Sequence, residues 1–171
     1  MTHKIAVLCT TLILALSPVD AEDSYSDVVE RLLRSANFEL TYSANQPKLT
    51  PGHFVQNFEE IARCEFKVYQ DTKSVLKDFN GELYESVSAQ TYIFHMKNID
   101  PTTIREAGYR SFTLETTNKE QLVDFLYQEP GRFDERTKEP LVEIFYPNES
   151  MDQYREYFTE LAGHCEEGLK E

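Results

Sequence analysis

Hydrophobic positions near the end of the chain recur every three or four residues, which is the spacing of one face of an α-helix. Ser150 followed by Gln153 has the pattern of a capping box, and Gly168 is a stop signal. The apolar stripe consists of Met151, Tyr154, Phe158, Leu161 and Cys165. This pattern predicts an amphipathic helix over residues 150–168 that covers a hydrophobic surface.

Upstream of this helix the hydrophobic period changes to two, which is typical of strands. Alternation over residues 62–69 directs Cys64 inward. Further strands are predicted over residues 91–97, 111–116, 121–127 and 141–146. Short strands separated by turn signals and followed by one helix predict an α+β fold, either a bent antiparallel sheet or a small barrel, closed by the C-terminal helix.

Two short helices are predicted before this sheet. The first covers residues 27–36, and the second starts at Thr50-Pro51 and buries Phe54, Val55 and Phe58. An extended segment over residues 38–42 lies between them.

Two long polar stretches separate predicted strands. Residues 71–88 contain Phe79-Asn80-Gly81, and residues 128–139 contain Pro130-Gly131 followed by Phe133. Both are predicted to be connections between strands, and the second, with seven charges in twelve residues, is predicted to be solvated and mobile.

The first 21 residues have the pattern of a secretory signal. Lys4 precedes an apolar run that is too short to cross a bilayer, and small residues precede Ala21. The alternative is a buried N-terminal helix. We therefore assign residues 1–21 to a signal peptide, 22–59 to an N-terminal segment and 60–171 to the β domain, with 22–171 folding as one unit. The protein is predicted to be exported, either secreted or periplasmic.

Acidic residues dominate the composition, with 30 Asp and Glu against 17 Lys and Arg and a net charge of −13. Such a surface repels phosphate backbones, which disfavours nucleic acid as a partner. No apolar run is long enough for membrane insertion. A protein or peptide partner remains open, and the oligomeric state is not indicated.

Cys64 and Cys165 are the cysteines that remain after residues 1–21 are removed. Because an exported chain meets an oxidising environment, we predict a disulfide between them. The alternative is a pair of free buried thiols.

The order of elements, with the strand at residues 141–146 leading directly into the C-terminal helix, resembles the pleckstrin-homology-like superfold. The resemblance covers residues 60–168 and implies a bent sheet closed by that helix. Phosphoinositide binding in that superfold uses basic residues after the first strand. Here Lys73 and Lys77 are outnumbered by Asp71, Asp78, Glu82 and Glu85, so that activity is not expected.

Catalytic motifs are absent from the sequence: it contains no Gly-x-Ser-x-Gly, His-Glu-x-x-His, Cys-x-x-Cys or Gly-rich phosphate loop. His53, His95 and His164 lack the spacing of metal ligands. We predict no catalytic residue, no metal site and no cofactor.

Candidate binding residues come from unusual positions. Phe79 and Phe133 are aromatic residues in polar stretches, where they could anchor a partner or fold back onto the domain. Arg155 and Glu156 lie on the outward face of the C-terminal helix, and Asn148 begins a glycosylation sequon.

Three function classes follow from these features. The first, which we favour, is an exported, non-enzymatic binding module that uses sheet edges or the groove beside the last helix. The second is a carrier of an apolar small molecule in an internal barrel cavity. The third is a hydrolytic enzyme without a recognisable motif. The sequence leaves the enzyme question open and leans against catalysis.

Overall fold

The computed structural model describes residues 19–42, 52–108, 110–131, 133–147 and 150–167. Over these residues the chain forms two α-helices and nine β-strands. They are α1 (Val19–Ala36), β1 (Phe38–Tyr42), β2 (Gly52–Ala62), β3 (Glu65–Lys77), β4 (Leu83–His95), β5 (Ile99–Gly108), β6 (Ser111–Thr116), β7 (Val123–Glu129), β8 (Phe133–Glu139), β9 (Leu141–Phe145) and α2 (Met151–Glu167).

The strands form two antiparallel sheets. The larger sheet has the order β1-β2-β3-β4-β7-β8 and the smaller has the order β5-β6-β9. The predicted α+β class, with a predominantly antiparallel sheet and a C-terminal helix, is confirmed. The alternative of a small barrel is wrong, because the strands described belong to two separate sheets that do not close.

The core lies between the larger sheet, the smaller sheet and the two helices. Alternate residues of β2, β3 and β4, such as Phe58, Phe66 and Phe94, are buried on one face of the larger sheet, which we call its inner face. From α2, Phe158 contacts the ring of Phe58 and the ring of Phe112 on β6. The apolar stripe of α2 therefore joins both sheets, as its period predicts.

A disulfide between Cys64 and Cys165 fastens the end of α2 to the turn between β2 and β3, which confirms the predicted pairing. The Cα atoms are 5.9 Å apart and both residues are buried. The alternation predicted that Cys64 lies in a strand, but the structure places it outside the strands. It occupies the turn with a positive φ of 63°, because β2 ends at Ala62 and β3 begins at Glu65.

The helix predicted from Thr50-Pro51 is wrong over the described residues. Phe54, Val55 and Phe58 belong to strand β2. Phe54, Gln56 and Phe58 are the buried positions, so the true period is two. Because the middle position is a glutamine, the apolar residues alone imitate helical spacing. Of the two helices predicted before the sheet, the first, residues 27–36, lies within α1.

The two stretches predicted as connections are also wrong, since each forms a hairpin. Residues 71–88 contain the ends of β3 and β4, and residues 128–139 contain the end of β7 and all of β8. Gly81 and Gly131 have positive φ, as their turns require. Polar residues form these strands because pairing between strands, rather than burial of both faces, stabilises them.

Candidate functional site

Strands β3 and β4 extend beyond their neighbours in the larger sheet. At this end of the sheet, the last pair between β2 and β3 is Gly52 with Ser74. The last pair between β4 and β7 is Ala89 with Gln128. Beyond these points the described strands β3 and β4 pair only with each other. We call residues 75–88 the β3–β4 arm. The part of β4 in this arm spans about 20 Å at the usual rise of ~3.4 Å per residue.

A turn organised by Asp78 closes the arm. The Asp78 carboxylate accepts hydrogen bonds from the N–H groups of Asn80 and Glu82, at 2.9 and 2.7 Å. Gly81 adopts the left-handed region with a φ of 86°, where glycine has no steric cost. This turn holds Phe79 at the tip, where its side chain is fully exposed.

Three large apolar side chains are exposed at this end of the arm. Phe79 is accompanied by Leu83, which is 71% exposed, and by Tyr84, which is 43% exposed. Leu83 and Tyr84 are consecutive in β4, where they pair with Lys77 and Leu76 of β3. Because successive side chains in a strand alternate, Leu83 and Tyr84 point to opposite faces of the hairpin. The end of the arm thus exposes apolar side chains at its tip and on both faces, and clusters of exposed apolar residues are a feature of interaction sites.

The same end of the arm is acidic. Lys73 pairs with Glu85, with 3.0 Å between Nζ and Oε2. Among the residues that the structure describes, no cation pairs with the carboxylates of Asp78 or Glu82. The apolar tip is therefore bordered by negative charge.

The other predicted candidates are spread over the molecule. Phe133 begins β8 opposite Glu129, at the same end of the larger sheet as the arm, but its side chain lies outside the described residues. Asn148 also lies outside the described residues.

Arg155 and Glu156 line an open depression of about 700 Å³ between α1 and α2. Arg155 pairs with Asp152 and donates to the carbonyl of Ile104 on β5 at 3.3 Å. Arg31 of α1 pairs with Glu160 across the same depression, at 3.0 Å. The helix thus occupies the adjacent edge of β5, and the charged side chains around it are largely engaged with one another.

The edge of β9 is covered by buried glutamines. The side-chain nitrogen of Gln56 donates to the carbonyl of Phe145 at 3.0 Å, and its oxygen accepts the Phe145 N–H at 3.0 Å. Gln70 donates to the carbonyl of Glu143 at 2.8 Å and to Gln56 at 3.0 Å. These amides take the place of a neighbouring strand, so this part of the β9 edge is not open to a partner.

Tyr25 connects α1 to the disulfide. Its hydroxyl donates to Glu60 and accepts the N–H of Cys64 at 2.8 Å. Burial, and then the hydrogen bond with Glu60, raise the pKa of Tyr25 to about 12. A phenol held in its neutral form in this way supports structure rather than proton transfer at neutral pH.

Two other titratable groups are perturbed by their surroundings. Burial, followed by the charges of Glu143 and Glu139, raises the pKa of Tyr92. Burial and the charge of Lys97 lower the pKa of His95. Tyr92 lies on the inner face of β4 and His95 ends that strand next to the β2–β3 turn. Neither belongs to a nucleophile and base pair of the kind that hydrolysis needs.

Sequence reasoning found Phe79 but missed Leu83 and Tyr84. The signal was present in Asn80-Gly81, a strong hairpin dipeptide, followed by the extended-favouring Leu83-Tyr84. The buried glutamines at positions 56 and 70 were also missed. A polar residue at an alternating position gives no sign of burial until its partners are known.

Comparison with known proteins gives no family: no family model, no curated protein and no solved structure matches the chain. Neither described helix combines the length and the apolar composition that crossing a bilayer requires. Within the described residues, no three His, Cys, Asp or Glu side chains converge as a metal site would need.

Proposed function

We propose that the protein is an exported, non-enzymatic binding module that contacts a protein partner through the end of the β3–β4 arm. The observation that carries the proposal is the joint exposure of Phe79, Leu83 and Tyr84 on a hairpin that extends beyond its sheet. Exposed aromatic and aliphatic side chains of this kind form the centre of many protein interfaces. The disulfide fits an exported protein, whether secreted or periplasmic.

The charge of the arm specifies the partner's chemistry. Asp78 and Glu82 border the apolar residues, Glu85 pairs with Lys73, and the whole chain carries a net charge of −13. We infer a partner with an apolar cleft that receives Phe79 and with basic side chains around that cleft. An anionic membrane is disfavoured by the same carboxylates.

The binding-module class is preferred to the carrier class on the character of two depressions that the described residues line. The depression between α1 and α2 has five charged side chains among its six lining residues. A second depression, of about 420 Å³, is lined by Asn37, Asn57, Phe58, Glu59, Lys67 and Tyr69. Neither is the apolar enclosure that a carrier of an apolar molecule requires.

A photo-crosslinking experiment tests the proposal. Phe79 is replaced by p-benzoylphenylalanine, and the exported protein is illuminated in its native extracytoplasmic fluid. The matched control carries the same group at Ile61, an apolar residue that is 45% exposed. Ile61 lies near the end of β2 that is farther from the arm. We expect a discrete protein adduct from position 79 that the Ile61 control lacks.

Competition identifies the surface. Excess unlabelled wild-type protein should abolish the adduct, whereas a Phe79→Ser, Leu83→Ser competitor should not. These substitutions leave the net charge unchanged, so their effect reports apolar contact alone. Equal adducts from positions 79 and 61, or equal competition by both proteins, would reject the proposed function. Stronger binding of the wild type than of the double variant to phosphatidylcholine vesicles, without a protein adduct, would replace the protein partner by a lipid surface.

A further inference from the structure

The β3–β4 arm has an unpaired strand edge as well as apolar side chains. Strand β4 begins at Leu83, but its pairing with β7 begins at Ala89. The edge of β4 over residues 83–88 therefore faces no strand among the residues that the structure describes. The β7–β8 hairpin ends beside it, which leaves a notch in the larger sheet between that hairpin and the arm.

The backbone groups that face this notch follow from the alternation along β4. The Met96 N–H donates to the carbonyl of Cys64 at 2.8 Å, so even-numbered residues of β4 direct their N–H and C=O groups toward β3. Odd-numbered residues direct theirs toward β7. In the arm these are Leu83, Glu85 and Val87, whose N–H and C=O groups face the notch.

Three other strand edges among the described residues, those of β5, β8 and β9, are protected. Glutamines cover β9, and α2 lies against β5. On the outer strand β8, five of seven residues are charged, in the sequence Phe-Asp-Glu-Arg-Thr-Lys-Glu. Charged edge strands discourage the pairing of further strands. By contrast, residues 83–88 read Leu-Tyr-Glu-Ser-Val-Ser, with one charge and several residues that favour strands.

We propose that the β4 edge at residues 83–88 receives an extended segment of the partner as an added β-strand. This inference rests on the proposed function and specifies its binding mode. Backbone hydrogen bonds to Leu83, Glu85 and Val87 would hold the segment. Its side chains beside Leu83 and Tyr84, on opposite faces, would be apolar, and basic side chains next to them would approach the carboxylates of Asp78 and Glu82. A second copy of this acidic chain is a poor occupant because both copies carry a charge of −13.

Selection from a display library of short random peptides tests this mode. Peptides are selected for binding to the wild-type protein, in which Phe79 at the tip is intact. We expect enriched peptides in which a short apolar, strand-forming run adjoins basic residues. Each enriched peptide is then resynthesised with N-methyl groups on alternate amides, which preserves charge and side chains but removes the N–H donors on one edge.

The protein variant for this test is Val87→Pro. Proline removes an N–H that faces the notch and leaves the hydrogen bonds to β3 intact. Val87→Thr is the matched control, since it retains the N–H and the β-branched shape. Loss of one such bond should weaken peptide binding by about tenfold in Val87→Pro, with little change in Val87→Thr. Should Val87→Pro fail to fold, the N-methyl series on the wild-type protein gives the same answer.

The outcomes separate this inference from the proposed function. Enriched peptides that bind Val87→Pro and tolerate N-methylation in both alternate sets would overturn strand addition, as would failure to enrich any peptide. If the photo-crosslink at position 79 persists in that case, the apolar contact stands without strand addition. A dimer that Val87→Pro dissociates would replace the peptide by a second copy.

Discussion

His95 at the end of β4 is the residue at which pH acts on the local structure. Its Nδ1 accepts the N–H of Lys97 at 3.2 Å and so caps the short 3₁₀ turn Met96–Asn98. A protonated imidazole has no lone pair for this bond. Burial and the Lys97 charge lower the pKa of His95 below its ordinary value of 6.5. The folded state therefore prefers neutral His95.

We predict that protonation of His95 lowers the stability of the folded state at acidic pH. Because its folded pKa is lowered, its contribution is fully present above a pH of about 6.5 and is lost as pH falls through the folded pKa. His95→Asn keeps an acceptor for the Lys97 N–H but does not titrate. Urea unfolding at about pH 8 and about pH 5 should show a smaller loss for His95→Asn than for wild type. An identical loss in both proteins would assign the pH dependence to other groups.

At the scale of elements, a row of glutamines connects the two sheets. Gln56, Gln70 and Gln90 lie opposite one another on β2, β3 and β4. Gln56 also donates to the carbonyl of Ala36 at the end of α1, at 2.8 Å. Since both Gln56 and Gln70 are buried, their hydrogen bonds replace those that water would otherwise make with the edge of β9.

We predict that Gln56→Leu is strongly destabilising. The substitution leaves the Phe145 N–H, two carbonyls and the Gln70 amide without this partner in the core, which should cost roughly 3–5 kcal/mol. Gln90→Leu is the matched control, because Gln90 is half-buried and its side chain accepts one hydrogen bond, from Tyr92, at 3.1 Å. Gln90→Leu should lower the free energy of unfolding by ~1 kcal/mol. Urea denaturation of both variants measures the difference, and equal costs would refute the role of the glutamines as an edge cover.

At the scale of the whole molecule, the disulfide and the helices fasten the two ends of the β region to each other. Cys64 and Cys165 are separated by 101 residues, so the bond closes a loop that contains seven of the nine described strands, from β3 to β9. Tyr25 from α1 joins the same junction through Cys64. The resemblance to the pleckstrin-homology-like superfold and the signal peptide stay predictions.

We predict that reduction of the disulfide lowers the free energy of unfolding by about 4–5 kcal/mol, because a loop of this length strongly restricts the unfolded chain. That loss is a large fraction of the ~5–15 kcal/mol typical of a domain. Urea unfolding with and without a thiol reductant measures it. The Cys64→Ser, Cys165→Ser double variant is the control and should be insensitive to reductant. A reduced wild type as stable as the oxidised protein would show that packing of α2 alone determines stability.

Several features were determined by the sequence because they depend on local periodicity or on elimination. Helix α2 follows from the spacing of its apolar residues, and β6 coincides with the predicted residues 111–116. The pair Cys64 and Cys165 follows because these are the two cysteines that remain once the predicted signal peptide, residues 1–21, is set aside. Phe79 was identified because an aromatic residue in a polar stretch breaks the pattern around it.

Tertiary structure alone decided the features that depend on partners distant in sequence. The polar stretches 71–88 and 128–139 become hairpins because interstrand hydrogen bonds need no apolar side chains. Gln56 reads as a surface residue until β9 and α1 surround it. Among the described residues, the edge of β4 is open because β7 pairs with only five residues of a thirteen-residue strand. Strand length, register and the end of a neighbouring strand are not encoded in any local period, so the candidate site could be located only in the folded chain.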